Sequence, residues 1–177
     1  MDVFEAIERR HSYRGPFRDQ PVPQADLRRI VQAGLLAPSG GNAQTTRFVI
    51  VDDPDLISDI RALHPTNTAM QQAPAYVACV LDREPAKTYG QDSYQVEDCA
   101  AAVENMLLAV TGMGYATVWV DGWLRRDGLA ERIGQLIGLP DTKIVRIILP
   151  IGLPAESHQQ AEKMAFDERV WFNQYGG

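Results

Sequence analysis

The chain has 177 residues, of which 45% are hydrophobic, and it carries a formal net charge of -6. This length and composition fit one core, so we expect residues 1–177 to form a single globular domain. The acidic balance disfavours attraction to nucleic acid or to anionic membranes. No apolar stretch approaches the roughly 18–20 residues needed to cross a bilayer. We therefore expect neither a nucleic-acid partner nor a membrane partner.

The N-terminus and the cysteines indicate a cytoplasmic protein. The chain opens Met1-Asp2-Val3-Phe4-Glu5, which lacks the basic start and apolar run of a secretory signal. Cys79 lies in an apolar run and Cys99 among alanines, where cysteine acts as a small hydrophobic residue. No spacing of His and Cys suggests a metal site. We expect a reducing compartment and no bound metal.

Five segments of the first half carry a clear pattern. They are predicted helices over 2–11, 27–35 and 54–63, and predicted strands over 47–51 and 75–81. Apolar residues recur at helical spacing in the first three segments, and Pro38 stops the second helix. Asp53-Pro54 combines a capping residue with a proline at the first helical position.

The second half continues with helices, strands and an apolar tail. In chain order we predict a loop or lid between Asp82 and Gln95, a helix over 96–113, a strand over 115–120, a helix over 129–137 and a strand over 143–151. The first of these helices is apolar on nearly all sides, which places it in the middle of the fold. Asp127 is expected to cap the next helix. The tail over 152–177 is too apolar for a solvated segment, so we expect it to pack on another surface, such as a second subunit.

The segment Arg9-Arg10-His11-Ser12-Tyr13-Arg14 concentrates three guanidinium groups, an imidazole and two hydroxyls in six residues. Arginine binds phosphate oxygens in bidentate geometry, and a serine hydroxyl or a backbone N–H completes the shell. The segment is therefore a candidate phosphate site. Basic residues also complement the dipole at a helix C-terminus, and this segment taken alone favours that structural interpretation.

The turn Ala37-Pro38-Ser39-Gly40-Gly41-Asn42-Ala43-Gln44 is a second candidate. Its adjacent glycines let the backbone approach a ligand closely. Asn42 and Gln44 offer amide donors and acceptors that suit a heteroaromatic ring. Ser, Gly and Asn are also the ordinary residues of turns, so in isolation a plain helix-to-strand connection is favoured.

Other catalytic signatures are missing from the sequence. Thr111-Gly112-Met113-Gly114 closes a predicted helix, whereas a dinucleotide fingerprint opens one after a strand, so we reject a Rossmann site. No NTPase, zinc-protease or esterase motif occurs. His64 and His158 stand in polar surroundings and are expected at the surface. Trp119 and Trp123 are expected to pack in the core.

Taken in order, the segments 9–14 and 37–44 resemble the two N-terminal signatures of the FMN-dependent nitroreductases. Residues 104–115 are similar to that family's long central helix and glycine turn. Residues 139–152 and 163–168 resemble its closing strand and its C-terminal segment. The resemblance spans nearly the whole chain.

The resemblance implies an α+β homodimer with a mixed, mainly antiparallel central sheet flanked by helices, and a C-terminal arm that extends onto the partner. Two FMN sites would lie at the interface, each built from both chains. The implied cofactor-binding residues are Arg10, His11, Ser12, Arg14 and Lys163 around the phosphate and ribityl chain, Pro38, Ser39, Gly40, Asn42 and Gln44 against the flavin from the other subunit, Asp121 and Gly122 facing the ring, and Asn67 at the pyrimidine edge. Two positions depart from the family pattern: Thr45-Thr46 replaces the frequent Pro-Trp, and Lys163 replaces arginine.

The implied activity is electron transfer from NADH or NADPH to a small acceptor, such as a nitroaromatic or a quinone, in a ping-pong cycle. The flavin carries the chemistry, so no catalytic side chain is expected. Two alternatives stay open: a flavin-binding carrier or redox-responsive protein without turnover, and a family member with another flavin reaction, such as dehalogenation or flavin breakdown. Nothing in the sequence identifies the physiological acceptor or selects NADH over NADPH.

Overall fold

The computed structural model of the chain describes residues 1–64 and 66–176. Within these residues the chain forms six α-helices and four strands. The helices are α1 (Val3–Arg9), α2 (Gln24–Leu35), α3 (Pro54–Ala62), α4 (Thr68–Gln72), α5 (Gln95–Gly112) and α6 (Leu129–Leu136). The strands are β1 (Arg47–Val51), β2 (Ala75–Asp82), β3 (Ala116–Thr117) and β4 (Lys143–Gly152).

The strands form one sheet in the order β1-β2-β4-β3, and each pairing within the described part of the chain is antiparallel. The α+β fold with a mainly antiparallel sheet is therefore confirmed. A β-bulge interrupts the pairing of β2 with β4: Cys79 pairs with Ile147, whereas Val80 pairs with Val145. Arg146 is the extra residue of the bulge, which redirects its side chain.

Helices cover both faces of the sheet, as the alternation of side chains along β2 requires. Tyr76 and Ala78 pack into a core cluster with residues of α3, α4 and α6. Val77 and Cys79 point to the other face, into a cluster with residues of α2 and α5. The sheet is thus a buried layer between two layers of helix.

Helix α5 lies in the middle of the second layer, as its nearly continuous apolar sequence predicts. Val103, Met106 and Val110 are fully buried in it. Burying side chains of this size contributes about 1.5–3 kcal/mol each. The helix packs against α2 at Gly34, where an added Cβ would lie 2.9 Å from Cγ of Met106. Both cysteines are free and buried, as expected for small hydrophobic residues.

The extent of one predicted strand and the predicted cap of one helix are wrong. The strand predicted over 115–120 pairs only at Ala116–Thr117, followed by an isolated bridge between Val120 and Ile148. Val118 and Val120 are buried all the same, so the apolar run reports burial without continuous pairing. Asp127 does not cap α6, because its own φ is 51° and the left-handed Gly128 is the residue that precedes the helix.

His64 is the other correction. It was expected at the surface, but its side chain is buried, with 8% of the residue exposed. The ring lies just beyond α3 and packs on Trp123 at a centroid distance of 4.2 Å. Trp119 and Trp123 are both half-buried against the core clusters, which confirms their predicted packing role. In the described ranges, no helix combines the length and the apolar character that crossing a membrane requires.

Candidate functional site

The cationic segment begins where α1 ends. Asp2 caps the helix by accepting a 2.9 Å hydrogen bond from the N–H of Glu5, and Arg10 is the first residue beyond it. The half-buried Arg10 guanidinium places Nε 3.4 Å from Oε1 of Glu104 on α5. This distance marks a loose ion pair, which leaves the guanidinium able to bind a further anion.

The His11 ring has one satisfied and one unsatisfied nitrogen. Nδ1 lies 2.9 Å from the carbonyl oxygen of Arg9. Nε2 is buried and has no hydrogen-bond partner among the described residues. Buried polar atoms in native proteins nearly always have partners. The unpaired nitrogen therefore points to a ligand or water atom beside the cationic segment.

The buried Tyr13 anchors the rest of the cationic segment to the core. Its side chain is buried, its hydroxyl donates to the carbonyl oxygen of Pro16, and its N–H donates to Thr117 on β3 at 2.9 Å. Ser12 and Arg14 on either side are exposed. The anchored tyrosine thus leaves a hydroxyl and a guanidinium exposed on either side of it.

The C-terminal tail passes beside this segment. The side-chain amide of Gln160 donates to the carbonyl oxygen of Arg10, and the ring of His158 contacts Tyr13 edge-on at 4.9 Å between centroids. Lys163 is exposed and follows Gln160 by three residues, a reach of about 10 Å for an extended chain. Lys163 therefore follows a fixed contact of the tail, and its place at the phosphate stays a prediction.

The glycine turn has an unusual backbone. Gly40–Asn42 forms a short 3₁₀ turn, and positive φ angles occur at Gly41 (55°), Asn42 (57°) and Gln44 (51°). The hydroxyl of Ser39 accepts a 3.0 Å hydrogen bond from the N–H of Gln44. Pro38 and the side chains of Asn42 and Gln44 are exposed, so the polar groups expected to meet a ring lie on the surface.

A cleft of about 410 Å³ opens under this turn, between α2, α5 and the start of β1. Its lining includes Leu35, Pro38, Ser39, Gln44, Arg47 and Asp98. Both oxygens of the Asp98 carboxylate bind the turn: Oδ1 accepts from the N–H of Gly40 at 2.8 Å, and Oδ2 accepts from the hydroxyl of Thr45 at 2.9 Å. A buried carboxylate on α5 thus joins the two ends of the turn.

Asp121 and Gly122 occupy a separate turn, which two arginines hold. Arg125 binds the Asp121 carboxylate with both Nε (2.7 Å to Oδ1) and Nη2 (3.0 Å to Oδ2), and Arg146 from the β-bulge binds Oδ1 as well. Burial raises the pKa of the Asp121 carboxyl, but the hydrogen bonds and charges of the two arginines outweigh burial, so the pKa lies below its ordinary value. The side chain is fully engaged, and only the backbone of this turn is available to a ligand.

Asn67 also has a structural role. Its Oδ1 accepts a 3.1 Å hydrogen bond from the N–H of Met70 and so caps α4. Helix α4 was not predicted, because five residues are too few for a periodic pattern. An Asn before such a helix is nevertheless a recognised cap signal.

Comparison with known proteins identifies the family. The sequence profile of the nitroreductase family matches residues 7–64 and 62–153. The chain belongs to the nitroreductase family. A Methanothermobacter thermautotrophicus protein, provisionally named an NADH dehydrogenase/NAD(P)H nitroreductase, is 31% identical over 89% of this chain and 80% of its own length.

Solved nitroreductase structures share the fold over nearly all of the chain. A Bacteroides thetaiotaomicron structure, provisionally named in the same way, superposes with a TM-score of 0.83 at 26% identity and covers 98% of both chains. A Desulfovibrio desulfuricans structure, provisionally a nitroreductase and solved in complex with FMN, has a TM-score of 0.80 at 27% identity. That similarity covers 99% of this chain and 98% of the other.

Within this nitroreductase fold, α5 connects the two candidate half-sites. Arg10 contacts α5 at Glu104, and Gly40 contacts it at Asp98, six residues earlier. Six residues span about 9 Å of helix and place the two contacts roughly 120° apart around its axis. The cationic segment and the glycine turn of one chain therefore lie on different sides of α5.

Sequence reasoning missed Asp98, the residue that organises the glycine turn. The available signal was its position: Asp98 precedes the buried Ala102 by four residues, so a carboxylate stands on the apolar face of a buried helix. A charge in that position requires a hydrogen-bonding partner. Its partners, Gly40 and Thr45, are more than 50 residues away in sequence, and periodicity carries no information about such pairs.

Proposed function

We propose that this nitroreductase-family chain is an FMN-dependent oxidoreductase that passes electrons from NADH or NADPH to a small acceptor. The observation that carries the proposal is the cationic segment, in which the buried His11 Nε2 has no partner in the described part of the chain and the neighbouring Arg10 is loosely paired. Because Nδ1 donates to the Arg9 carbonyl oxygen, Nε2 of the neutral ring is an acceptor, which a ribityl hydroxyl can satisfy. The phosphate oxygens of the same ligand can accept from Arg10. The FMN complex of the Desulfovibrio desulfuricans structure, alike over 99% of this chain, supports the same ligand.

The residues present fit this cofactor. Arg10, His11, Ser12 and Arg14 would hold the phosphate and ribityl chain, and Lys163 would reach the phosphate. Pro38, Ser39, Gly40, Asn42 and Gln44 would meet the flavin, the backbone at Asp121 and Gly122 would face its ring, and Asn67 would approach the pyrimidine edge. When bound, FMN supplies the two-electron redox chemistry, so the chain's own residues bind, orient and exclude water.

The arrangement around α5 supports a site shared by two copies of the chain. The cationic segment and the glycine turn of one chain face different sides of this helix, so one chain by itself does not close them around one ligand. A homodimer in which each copy lends its glycine turn to the other would close both sites. The exposed apolar tail, with Phe166 and Phe172 largely accessible, would serve as the arm that contacts the partner.

We propose that residues 1–177 act as one FMN-binding domain in the cytoplasm, with the two substrates visiting the same site in turn. The nicotinamide would leave before the nitroaromatic, quinone or similar acceptor enters. Initial rates with both substrates varied should then give parallel reciprocal plots. Intersecting plots would contradict this order of events.

A spectrum of the purified protein tests the cofactor. We expect a yellow protein that releases FMN on denaturation and whose visible absorption bleaches when NADH or NADPH is added without oxygen. Bound FMN that neither nucleotide bleaches would indicate a flavin carrier without reductase turnover. A colourless protein that does not bind added FMN would contradict the whole proposal.

The substitution Arg10→Ala tests the phosphate site. Loss of a charge-assisted contact to phosphate should lower FMN affinity by about tenfold or more, while circular dichroism shows a retained fold. Arg9→Ala is the matched control, because Arg9 carries the same charge one position earlier but pairs with Glu5 at 2.7 Å. Equal losses of FMN affinity in both variants would mean that net charge alone causes the effect. Unchanged FMN affinity in Arg10→Ala would contradict the assignment of Arg10 to the phosphate site.

A further inference from the structure

The glycine turn holds a backbone shape that it does not favour by itself. Asn42 and Gln44 both have positive φ angles, which are unfavourable for residues with a Cβ atom. Local bonds, such as Asn42 N–H to the Ser39 carbonyl oxygen at 2.9 Å, close the turn internally. They do not fix its position relative to the rest of the molecule. An external contact must do that if Asn42 and Gln44 are to meet a ligand in a set geometry.

Asp98 provides this external contact. It is 6% exposed and projects from the first turn of α5. One carboxylate oxygen binds the backbone N–H of Gly40 at 2.8 Å and the other binds the Thr45 hydroxyl at 2.9 Å. The two hydrogen bonds hold the chain before Asn42, at Gly40, and after Gln44, at Thr45. A single rigid group therefore sets the distance between the ends of the turn and its position against α5.

The packing around Gly40 reinforces this contact. An added Cβ at Gly40 would lie 2.6 Å from Cδ2 of Tyr94, the residue that precedes α5. The turn is therefore seated directly on the N-terminal end of the helix. Only a glycine allows the backbone N–H to come this close to the carboxylate while Tyr94 keeps its place.

Charge at the helix N-terminus does not explain Asp98. Acidic residues in a first helical turn are favourable because they complement the helix dipole. Glu97 stands in the same turn, is exposed and fulfils that role from the surface. Burying a second carboxylate is costly unless hydrogen bonds compensate for lost hydration. The burial of Asp98 is thus tied to the turn that it binds.

We infer that Asp98 is the positioning residue of the flavin-binding turn: it holds Gly40 and Thr45 so that Asn42 and Gln44 present their amides to the flavin. This role rests on the proposed function for the identity of the ligand. The two hydrogen bonds of Asp98 form within the chain itself. Asp98 acts through the turn and does not contact the reacting atoms.

Two measurements on Asp98→Ala test this role. In the cofactor-free protein, hydrogen exchange at the Gly40 and Gln44 amides should become about tenfold faster or more. The Gly40 N–H loses its carboxylate acceptor, and Gln44 loses the contact that holds its neighbour Thr45. The dissociation constant for FMN, followed by flavin fluorescence, should rise by about tenfold or more. Asp98→Asn should restore both within about threefold, since its amide accepts from Gly40 and donates to the Thr45 oxygen.

Glu97→Ala is the matched control, because it removes a carboxylate from the same helical turn without touching the glycine turn. It should leave exchange and FMN affinity unchanged, and a loss equal to that of Asp98→Ala would overturn the inference in favour of helix charge. Wild-type exchange and FMN affinity in Asp98→Ala would overturn it outright.

Thr45→Val provides a test that does not depend on how well Asp98→Ala folds. It removes one of the two bonds with little change of shape, and Thr45→Ser keeps the hydroxyl. We expect weaker FMN binding in Thr45→Val and wild-type binding in Thr45→Ser. Equal binding in both variants would contradict the positioning role of the Asp98–Thr45 hydrogen bond. If the wild-type protein binds no FMN, the proposed function fails, and the exchange measurement still decides whether Asp98 positions the turn.

Discussion

The buried imidazole of His64 couples the stability of the fold to pH. Burial lowers the pKa of His64 from its ordinary 6.5, while a backbone hydrogen bond at the same residue acts in the opposite direction. Nδ1 is buried without a hydrogen-bond partner in the described residues, so the fold provides no acceptor for an added proton there. The neutral ring, packed against Trp123, is the form that the folded protein favours.

We predict that acid destabilises the protein through this residue. Below pH 6.5, the unfolded chain binds a proton at His64 that the folded chain resists, so the free energy of unfolding falls as the pH drops from that value toward the lower folded pKa. Above pH 6.5 this contribution is fully present. Urea unfolding between about pH 8 and about pH 5.5 measures the slope.

His64→Gln should flatten that slope, because it removes the titrating group. The matched control is His158→Gln, which removes an exposed imidazole and should leave the slope as in the wild type. A slope that is equal in the wild type and in His64→Gln would assign the acid sensitivity to other groups.

At this scale, the sequence predicted residue types better than residue surroundings. The cationic segment and the glycine turn are recognisable because their chemistry is local. His64 and Asp98 are not, because their burial depends on partners such as Trp123 and Thr45 that only folding brings near. Asp121 is intermediate: its turn was noticed, but the arginine of the β-bulge that binds it was not.

Among the elements, α3 shows how a local signal fixes a helix boundary. Oδ1 of Asp53 accepts hydrogen bonds from the N–H groups of Asp55 (3.0 Å) and Leu56 (3.1 Å), and Pro54 occupies the first helical position. We predict that Asp53→Ala lowers the free energy of unfolding by about 1 kcal/mol, because two backbone donors lose their acceptor. Equilibrium urea unfolding measures this loss.

Asp53→Asn is the control for this cap, because it keeps the acceptor oxygen and removes only the charge. It should stay within about 0.5 kcal/mol of the wild type. A loss as large as that of Asp53→Ala would mean that charge, and not the hydrogen bonds, stabilises the start of α3.

Element prediction succeeded where the apolar pattern is continuous and failed where tertiary geometry decides. The strand over 47–51 is confirmed to the residue, and α5 differs from its prediction by one residue at each end. At α6 the chain leaves a turn through Asp127 and Gly128, both left-handed. The helix starts at Leu129 as predicted, but Gly128 and not Asp127 holds the capping position.

At the scale of the whole molecule, large apolar side chains remain on the surface of the single chain. They lie mainly on α1 and in the tail, where Phe4 is 74%, Phe166 60%, Phe172 81% and Tyr175 89% exposed. Contiguous exposed apolar surface usually marks a protein interface. The tail makes contact with its own chain near Arg10, through Gln160, whereas most of its later residues are exposed.

We predict that the tail stabilises a homodimer and that removing its aromatic groups weakens that dimer. Burying one phenylalanine contributes about 1.5–3 kcal/mol, so Phe166→Ser combined with Phe172→Ser should raise the dimer dissociation constant by roughly two orders of magnitude or more. Sedimentation velocity over a concentration series measures this change. The control, Gln159→Ser with Gln174→Ser, alters two polar residues of the same tail and should sediment as the wild type.

Because the proposed site is closed by both copies, FMN affinity should fall together with dimerisation at low protein concentration. A wild-type protein that sediments as a monomer at every concentration, or a double phenylalanine variant that dimerises normally, would contradict this role of the tail.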